Sequence, residues 1–364
     1  MCCLVLGDGF TQGFLSAFGI RGDVRCTISD MFPAPDNLEY IPVNGDRFAK
    51  EPLWTEKKWP KLFAEHKSSG LSRRDFIIHL SKACKPINCD VRARRLSLET
   101  DSIEYELRCY LWHYFRGCHY KIRKGLENSE HSVRWDWGPL LMYIASEFKI
   151  AIVSYNYDTW FEDFMRAPFV KTFPPNDVAS FVEKTGYYHP YHFRSGTILV
   201  TKPHGCIRHS FSPFQAYNNP NLWLEKVKFE QNIIIRSPTR VTDMVKFPQI
   251  PDLIPPGRQG DDLCNPNSIS LAYSKMFIRD SSLIIICGLS ASEPDTKEIS
   301  ELIACAKNDA QIFHVGLNDY KDYENPMAQI SKHQVDENYH FFDAQDVGSI
   351  RKSLCGIFKP IWPW

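Results

Sequence analysis

The sequence predicts an α/β fold: a parallel sheet with helices on both faces, interrupted by an inserted helical module. Three observations lead there. Short apolar runs alternate with segments of helical periodicity, the order that right-handed crossovers between parallel strands produce. Runs such as Ile284-Ile285-Ile286 lack polar alternation, as strands covered on both faces do. Residues 61–148 read as mostly helical, unlike the alternating segments on either side.

Each element follows from its residues. Cys2-Cys3-Leu4-Val5-Leu6 is an apolar run that stops at Gly7-Asp8-Gly9, and Phe14, Leu15 and Phe18 then recur at helical spacing. This is a strand, a glycine turn and a helix. Residues 24–28 make a second short strand, and residues 30–60, rich in Pro, Asn and Gly, read as loop. Within 98–124, Ile103, Leu107, Tyr110, Leu111, Tyr114 and Phe115 share one helical side. Residues 137–148 form another apolar helix through Leu140, Leu141, Ile144 and Ala145. Residues 149–155 are a strand ending in Asn156-Tyr157-Asp158, and residues 197–201 are one ending at Pro203-His204-Gly205. Residues 210–266 are irregular, with many prolines. Asn267 or Ser268 caps a helix through Arg279. A buried strand at 283–287 is broken by Gly288-Leu289-Ser290. A helix with an acidic first turn covers 294–307, a strand covers 311–315, and Asp346 caps a last helix. The expected organisation is a Rossmann-like core from 1–29 and 149–364, with 30–148 as inserted loop and helical module.

Composition narrows the classes. The chain has 364 residues, 43% hydrophobic and 24% charged, which supports a buried core and excludes wholesale disorder. Lys+Arg and Asp+Glu each number 43, so no general attraction to a phosphate backbone exists and direct nucleic-acid binding is not expected. None of the 12 cysteines stands in a C-x-x-C pair, so neither a zinc ribbon nor any other metal is expected. Cys287 and others sit in apolar runs as small core hydrophobes, which fits a reducing cytoplasm. No cationic, apolar leader and no stretch of about 18 apolar residues is present, so neither a signal peptide nor a membrane span is expected.

Ligands of open parallel sheets sit beyond the carboxyl ends of the strands. Gly7-Asp8-Gly9, Asn156-Tyr157-Asp158, His204-Gly205 and Gly288-Leu289-Ser290 all fall at such ends. Gly7-x-Gly9 before a helix lets backbone approach a pyrophosphate, with free N–H groups and a partial positive charge behind it; the bland alternative is a tight turn. Asp8 would repel a phosphate, so it suits a ribose hydroxyl or a backbone donor. Asn156 can hold a ribose hydroxyl or a water without titrating, or simply stabilise a turn. His204, with an ordinary pKa near neutrality, suits proton transfer from a sugar hydroxyl, against the structural role that a lone His more often has.

In chain order these segments resemble the sirtuins. Gly7-Asp8-Gly9-Phe10-Thr11 is similar to the sirtuin Gly-Ala-Gly-x-Ser loop, and Ser154-Tyr155-Asn156-Tyr157-Asp158 to Thr-Gln-Asn-Ile-Asp. Lys202-Pro203-His204-Gly205-Cys206 resembles Leu-His-Gly-Ser, Cys287-Gly288-Leu289-Ser290 the Gly-Thr-Ser strand end, and Leu317-Asn318 a later Ile-Asn. The resemblance covers both ends of the core and not residues 30–148. Two family features are missing, the paired C-x-x-C ribbon after His-Gly and the Gly-Ile-Pro-x-Phe-Arg segment after the glycine loop, so acyl-lysine peptide binding is not expected. The pattern is closer to the zinc-free sirtuin-like domains of bacterial anti-phage systems, which Ile254-Pro255-Pro256 and the Gly288–Asp295 ending also resemble.

That resemblance implies hydrolysis of NAD to nicotinamide and ADP-ribose, depleting the cofactor in infected cells. It implies Asn156 and His204 as catalytic residues and Gly7, Asp8, Gly9, Phe10, Thr11 and Asp158 near the pyrophosphate and ribose. Gly288, Ser290 and Asn318 would face the adenosine half, and Asp295 its rim. Implied partners are NAD, further copies of the chain, and a separate sensor such as a translocase or Argonaute. The competing expectation is a non-catalytic subunit that binds NAD or ADP-ribose and regulates such a partner, and Asp8 in the glycine loop is the feature that favours it.

Overall fold

Cys2–Leu6 becomes the central strand because an unbroken apolar run is buried only where both faces of a sheet are covered, and all of it is buried. The structure is a computed structural model that describes residues 1–17, 31–32, 52–83, 89–90, 95–96, 103–128, 137–158, 182–183, 199–211, 250–253, 267–289, 296–316, 338–344 and 346–357. In chain order its first elements are β1 (Cys2–Leu6), α1 (Asp8–Ala17), α2 (Pro60–Ser69), α3 (Arg73–Ala83), β2 (Cys89–Asp90) and β3 (Arg95–Leu96). There follow α4 (Ile103–Asn128), α5 (Trp137–Glu147), β4 (Ile150–Ser154), β5 (Val182–Glu183), β6 (Leu199–Thr201), β7 (Gly205–Phe211) and β8 (Ile250–Leu253). The last are α6 (Asn267–Asp280), β9 (Leu283–Cys287), α7 (Thr296–Ile303), β10 (Gln311–Gly316), β11 (Tyr339–Asp343) and α8 (Val347–Ile357).

The main sheet has 7 strands in the order β11-β10-β9-β1-β4-β6-β5. Every neighbouring pair runs parallel, with Leu4 opposite Ile152 on one side and Ile285 on the other. The chain builds outward from β1 through β4 to β6, then crosses back to lay β9 on the other flank of β1. The order therefore reverses between β1 and β9, the switch point at which Rossmann-like sheets open a crevice.

Side-chain alternation divides the core into two layers. Cys2, Leu4 and Leu6 join Leu15 of α1, Leu140 and Ile144 of α5, and Ile350 of α8. Cys3 and Val5 join Phe277 and Ile278 of α6 and Ile299, Leu302 and Ile303 of α7. The α/β architecture with helices on both faces is thus as expected. Residues of α2, α3 and α4 continue the first layer without a break, around Tyr110, which stacks on Phe32 at 4.7 Å and donates a hydrogen bond to the Met31 carbonyl. Helix α2 starts with Pro60, whose missing N–H costs nothing in a first turn, and stops at left-handed Gly70.

Some local expectations change. Residues 210–266 look irregular in sequence, yet β8 lies among them, pairs antiparallel with β7 and packs on α4. A ladder between segments about 40 residues apart leaves no local periodicity, and Pro251 masks β8 further. Helix α7 ends at Ile303, and the chain turns from there to Ala310. The small β2–β3 ribbon interrupts the helical insert. The strand expected at 24–28 lies outside the described residues. Among the described residues no helix is long and apolar enough to cross a membrane.

Candidate functional site

The β1 and β9 exits meet over the switch point as bare backbone. Gly7 N–H donates to the Cys287 carbonyl at 3.0 Å, and Gly9 N–H to the Gly288 carbonyl at 2.9 Å. A Cβ on Gly7 would lie 2.5 Å from the Gly288 oxygen, and one on Gly288 would lie 2.0 Å from the Phe10 nitrogen. Gly288 also has a φ of 64°, in the left-handed region. The glycines therefore weld two loops together, and the amides of Gly7 and Gly9 are engaged in doing so. Asp8 opens α1, where a carboxylate complements the helix N-terminus. Phe10 is buried edge-on against Trp137 at 5.1 Å and serves the core, and Thr11 is wholly buried.

Asn156 follows β4 and is bonded to this weld. Its Nδ2 donates to Thr11 Oγ1 at 2.8 Å and to the Gly7 carbonyl at 3.1 Å. Its Oδ1 has no hydrogen bond among the described residues. Lys202, only 1% exposed, donates from Nζ to the carbonyls of Asn156 at 3.0 Å and Asp158 at 2.5 Å. A buried ammonium that satisfies two carbonyls fixes the turn between them, and it ties the β4 exit to the β6 exit.

His204 lies two residues beyond Lys202 in a tight turn closed by Gly205 N–H to the Lys202 carbonyl at 2.9 Å. Gly205 takes the positive φ (88°) that this turn demands. The imidazole is buried. Tyr155 meets it edge-on at 4.9 Å, Tyr157 lies roughly parallel at 6.4 Å, and Glu298 Oε1 of α7 approaches Nε2 at 3.5 Å. Phe115 of α4 packs on Tyr157 at 4.9 Å, so the insert reaches the site.

Gly7, Thr11, Asn156, Asp158, His204 and Gly288 thus gather at one edge of the sheet. Asn156 is bonded on the α1 side and His204 is packed on the α7 side, and the contacts linking them run through Tyr155, Tyr157 and Lys202. Ser290, Asp295 and Asn318 lie outside the described residues. Lys202 and Glu298 were not singled out from sequence. The first sits inside the Lys202-Pro203-His204 segment and the second in the acidic first turn of α7, but only the fold makes their burial visible. Burial also raises the Cys287 thiol well above its usual range, so it stays a neutral packing group. Among the described residues no cluster of His, Cys, Asp and Glu suits a metal ion.

Chemically, the edge offers an oriented neutral carboxamide, an imidazole facing a carboxylate, and a fixed ammonium within one network. No protein-family model matches the chain, and no curated protein matches it.

Proposed function

We propose that the protein is a sirtuin-like NAD glycohydrolase that cleaves the nicotinamide–ribose bond and depletes NAD in anti-phage defence. The observation that carries this reading is that Asn156, bonded to the glycine loop on the α1 side, and His204, packed on the α7 side, both lie at the carboxyl edge beside the β1–β9 switch point. The nicotinamide leaves as a neutral base from a cationic pyridinium, so no strong general acid is needed. Asn156 Oδ1 orients a ribose hydroxyl or the attacking water. Water forms the new bond to the anomeric carbon as the bond to nicotinamide breaks, and His204 takes the proton that water sheds. Gly7, Gly9, Thr11 and Asp158 frame the pyrophosphate and ribose, Gly288, Ser290 and Asn318 the adenosine half, and Asp295 its rim. The working form is cytoplasmic, assembled from several copies or with a separate sensor protein.

The test is incubation with NAD, with nicotinamide and ADP-ribose followed by chromatography. Asn156→Ala and His204→Ala are each expected to lower turnover by about 100-fold or more. Undiminished turnover in both variants overturns the assignment.

A second reading, a non-catalytic subunit that binds NAD or ADP-ribose, is favoured by two contacts. The Asn156 amide group is engaged with Gly7 and Thr11, and the His204 ring is enclosed by tyrosines and Glu298. Tight NAD binding without product, even with the partner and a phage trigger present, decides for it.

A further inference from the structure

The ladder between β1 and β4 runs one step past both strands: Tyr155 N–H donates to the Leu6 carbonyl at 2.9 Å. That step sets Asn156 beside Gly7, and its carboxamide turns toward α1. Nδ2 carries two hydrogens and meets two acceptors, the Thr11 hydroxyl oxygen at 2.8 Å and the Gly7 carbonyl at 3.1 Å. Chemistry fixes which end of the carboxamide faces them. A carbonyl only accepts, so a flipped carboxamide would set Oδ1 against the Gly7 oxygen and lose a bond. The Gly7 carbonyl is itself held, since it also receives the Phe10 N–H at 3.0 Å. At the backbone, Lys202 Nζ donates to the Asn156 carbonyl at 3.0 Å. Thr11 is wholly buried, so bulk water does not compete for its hydroxyl oxygen.

We propose that Thr11 is a positioning residue for Asn156: its hydroxyl oxygen, together with the Gly7 carbonyl, takes the amide hydrogens and so commits Oδ1 to the ligand as an acceptor. The inference deepens the hydrolase reading and rests on it for its catalytic meaning. With Nδ2 anchored, the open group of the carboxamide is Oδ1, which has no hydrogen bond among the described residues. An acceptor there suits a ribose hydroxyl or a water, both of which can donate to it. It does not suit the oxygens of an ionised phosphate, which only accept, so this position selects the sugar over the pyrophosphate. Thr11 thus frames the ribose through Asn156 and touches no reacting atom. No bond changes in this role: the carboxamide is oriented before the substrate arrives.

The experiment is nitrogen-15 NMR of the asparagine-labelled full chain, with the Asn156 side-chain amide assigned by its loss in Asn156→Asp. In the wild type this amide is expected to exchange its hydrogens with solvent about 10-fold or more slowly than an exposed asparagine. Thr11→Val keeps the shape and removes the oxygen, and exchange is expected to speed up by about 10-fold. Thr11→Ser keeps the oxygen and loses only a methyl group, and the protection is expected to return. NAD turnover by Thr11→Val is expected to drop about 10-fold or more in kcat with little change in KM, and Thr11→Ser to recover most of that loss. A wild-type amide that exchanges like an exposed one overturns the proposal, as does unchanged exchange in Thr11→Val. So does an unchanged kcat in a Thr11→Val chain that cleaves NAD, or a loss in Thr11→Ser as large as in Thr11→Val. Should Thr11→Val fail to fold, the amides of the wild type and Thr11→Ser decide, and an unprotected amide in either overturns the proposal. The two readings separate cleanly. The expected amide changes without NAD cleavage sink the hydrolase and leave Thr11 in its role. Cleavage with an unmoved amide in Thr11→Val does the reverse.

Discussion

Gly288 has no room for a side chain: its Cβ would overlap the backbone between Gly9 and Phe10. Gly288→Ala therefore combines a left-handed strain with a backbone clash, and a stability loss of about 2 kcal/mol or more is expected in denaturant melts. Lys202 is the second critical residue. Lys202→Met keeps the stem and deletes the donor, leaving the Asn156 and Asp158 carbonyls without it. A loss of about 3 kcal/mol follows from charge-assisted bonds of this kind. The variant is also expected to free the Asn156 turn, which on the proposed NAD-hydrolase reading is seen as weaker NAD binding by calorimetry. The cysteines sort by burial. Cys2, Cys3 and Cys287 are buried thiols pushed up by desolvation, whereas Cys355 is exposed. Alkylation followed by mass spectrometry is expected to label Cys355 in the native protein and these three only on unfolding.

At the scale of elements, α4 is the longest lever on the site. Its Phe115 is buried and packs on Tyr157, which in turn lies over His204. Phe115→Ala is expected to cost about 3–5 kcal/mol, measured by chemical denaturation, through the cavity it leaves between insert and sheet. Two buried histidines make helix and strand sensitive to acid. Burial lowers His113 of α4 to about 3, helped by Arg116 and Lys58, and lowers His314 of β10 to about 4. Both rings are neutral in the folded chain at pH 7, while in the unfolded chain they gain protons below their ordinary 6.5. The unfolded state thus binds more protons, and stability falls as pH drops from about 6.5 toward 4. Thermal melts across that range are expected to show a declining Tm, with a shallower decline in His314→Phe.

For the whole molecule, the insert and the sheet share one hydrophobic layer. It runs from Leu4 and Leu6 through Leu140 and Ile144 to Tyr110, Tyr114 and Phe76. Helices that complete a sheet's core cannot be removed without exposing it. Excision of residues 30–148 is expected to yield insoluble chain or loss of the native circular-dichroism spectrum. A soluble, folded remainder would show instead that the insert is autonomous.

Legibility differed by kind of information. The strands Cys2–Leu6, Ile150–Ser154 and Leu283–Cys287 were plain in the sequence, because burial on both faces demands unbroken apolar runs, and their five-residue length and bounding turn residues separate them from buried helix. Their glycine and asparagine endings were legible for the same reason, since a strand's end is where chemistry is placed in such sheets. The β7–β8 ribbon was not, as its partners are remote in the chain and their pairing is a long-range event. The roles of Gly7 and Gly9 also waited on the fold: a small residue permits close approach, but only the neighbouring strand order determines that Gly288 is what approaches. The same holds for Lys202 and Glu298. The sequence by itself determined which residues are charged and which segments form the middle of the sheet, but not its edge strands Val182–Glu183 and Tyr339–Asp343; tertiary packing alone decided which charges lose their water, because burial is a property of neighbours and not of the residue.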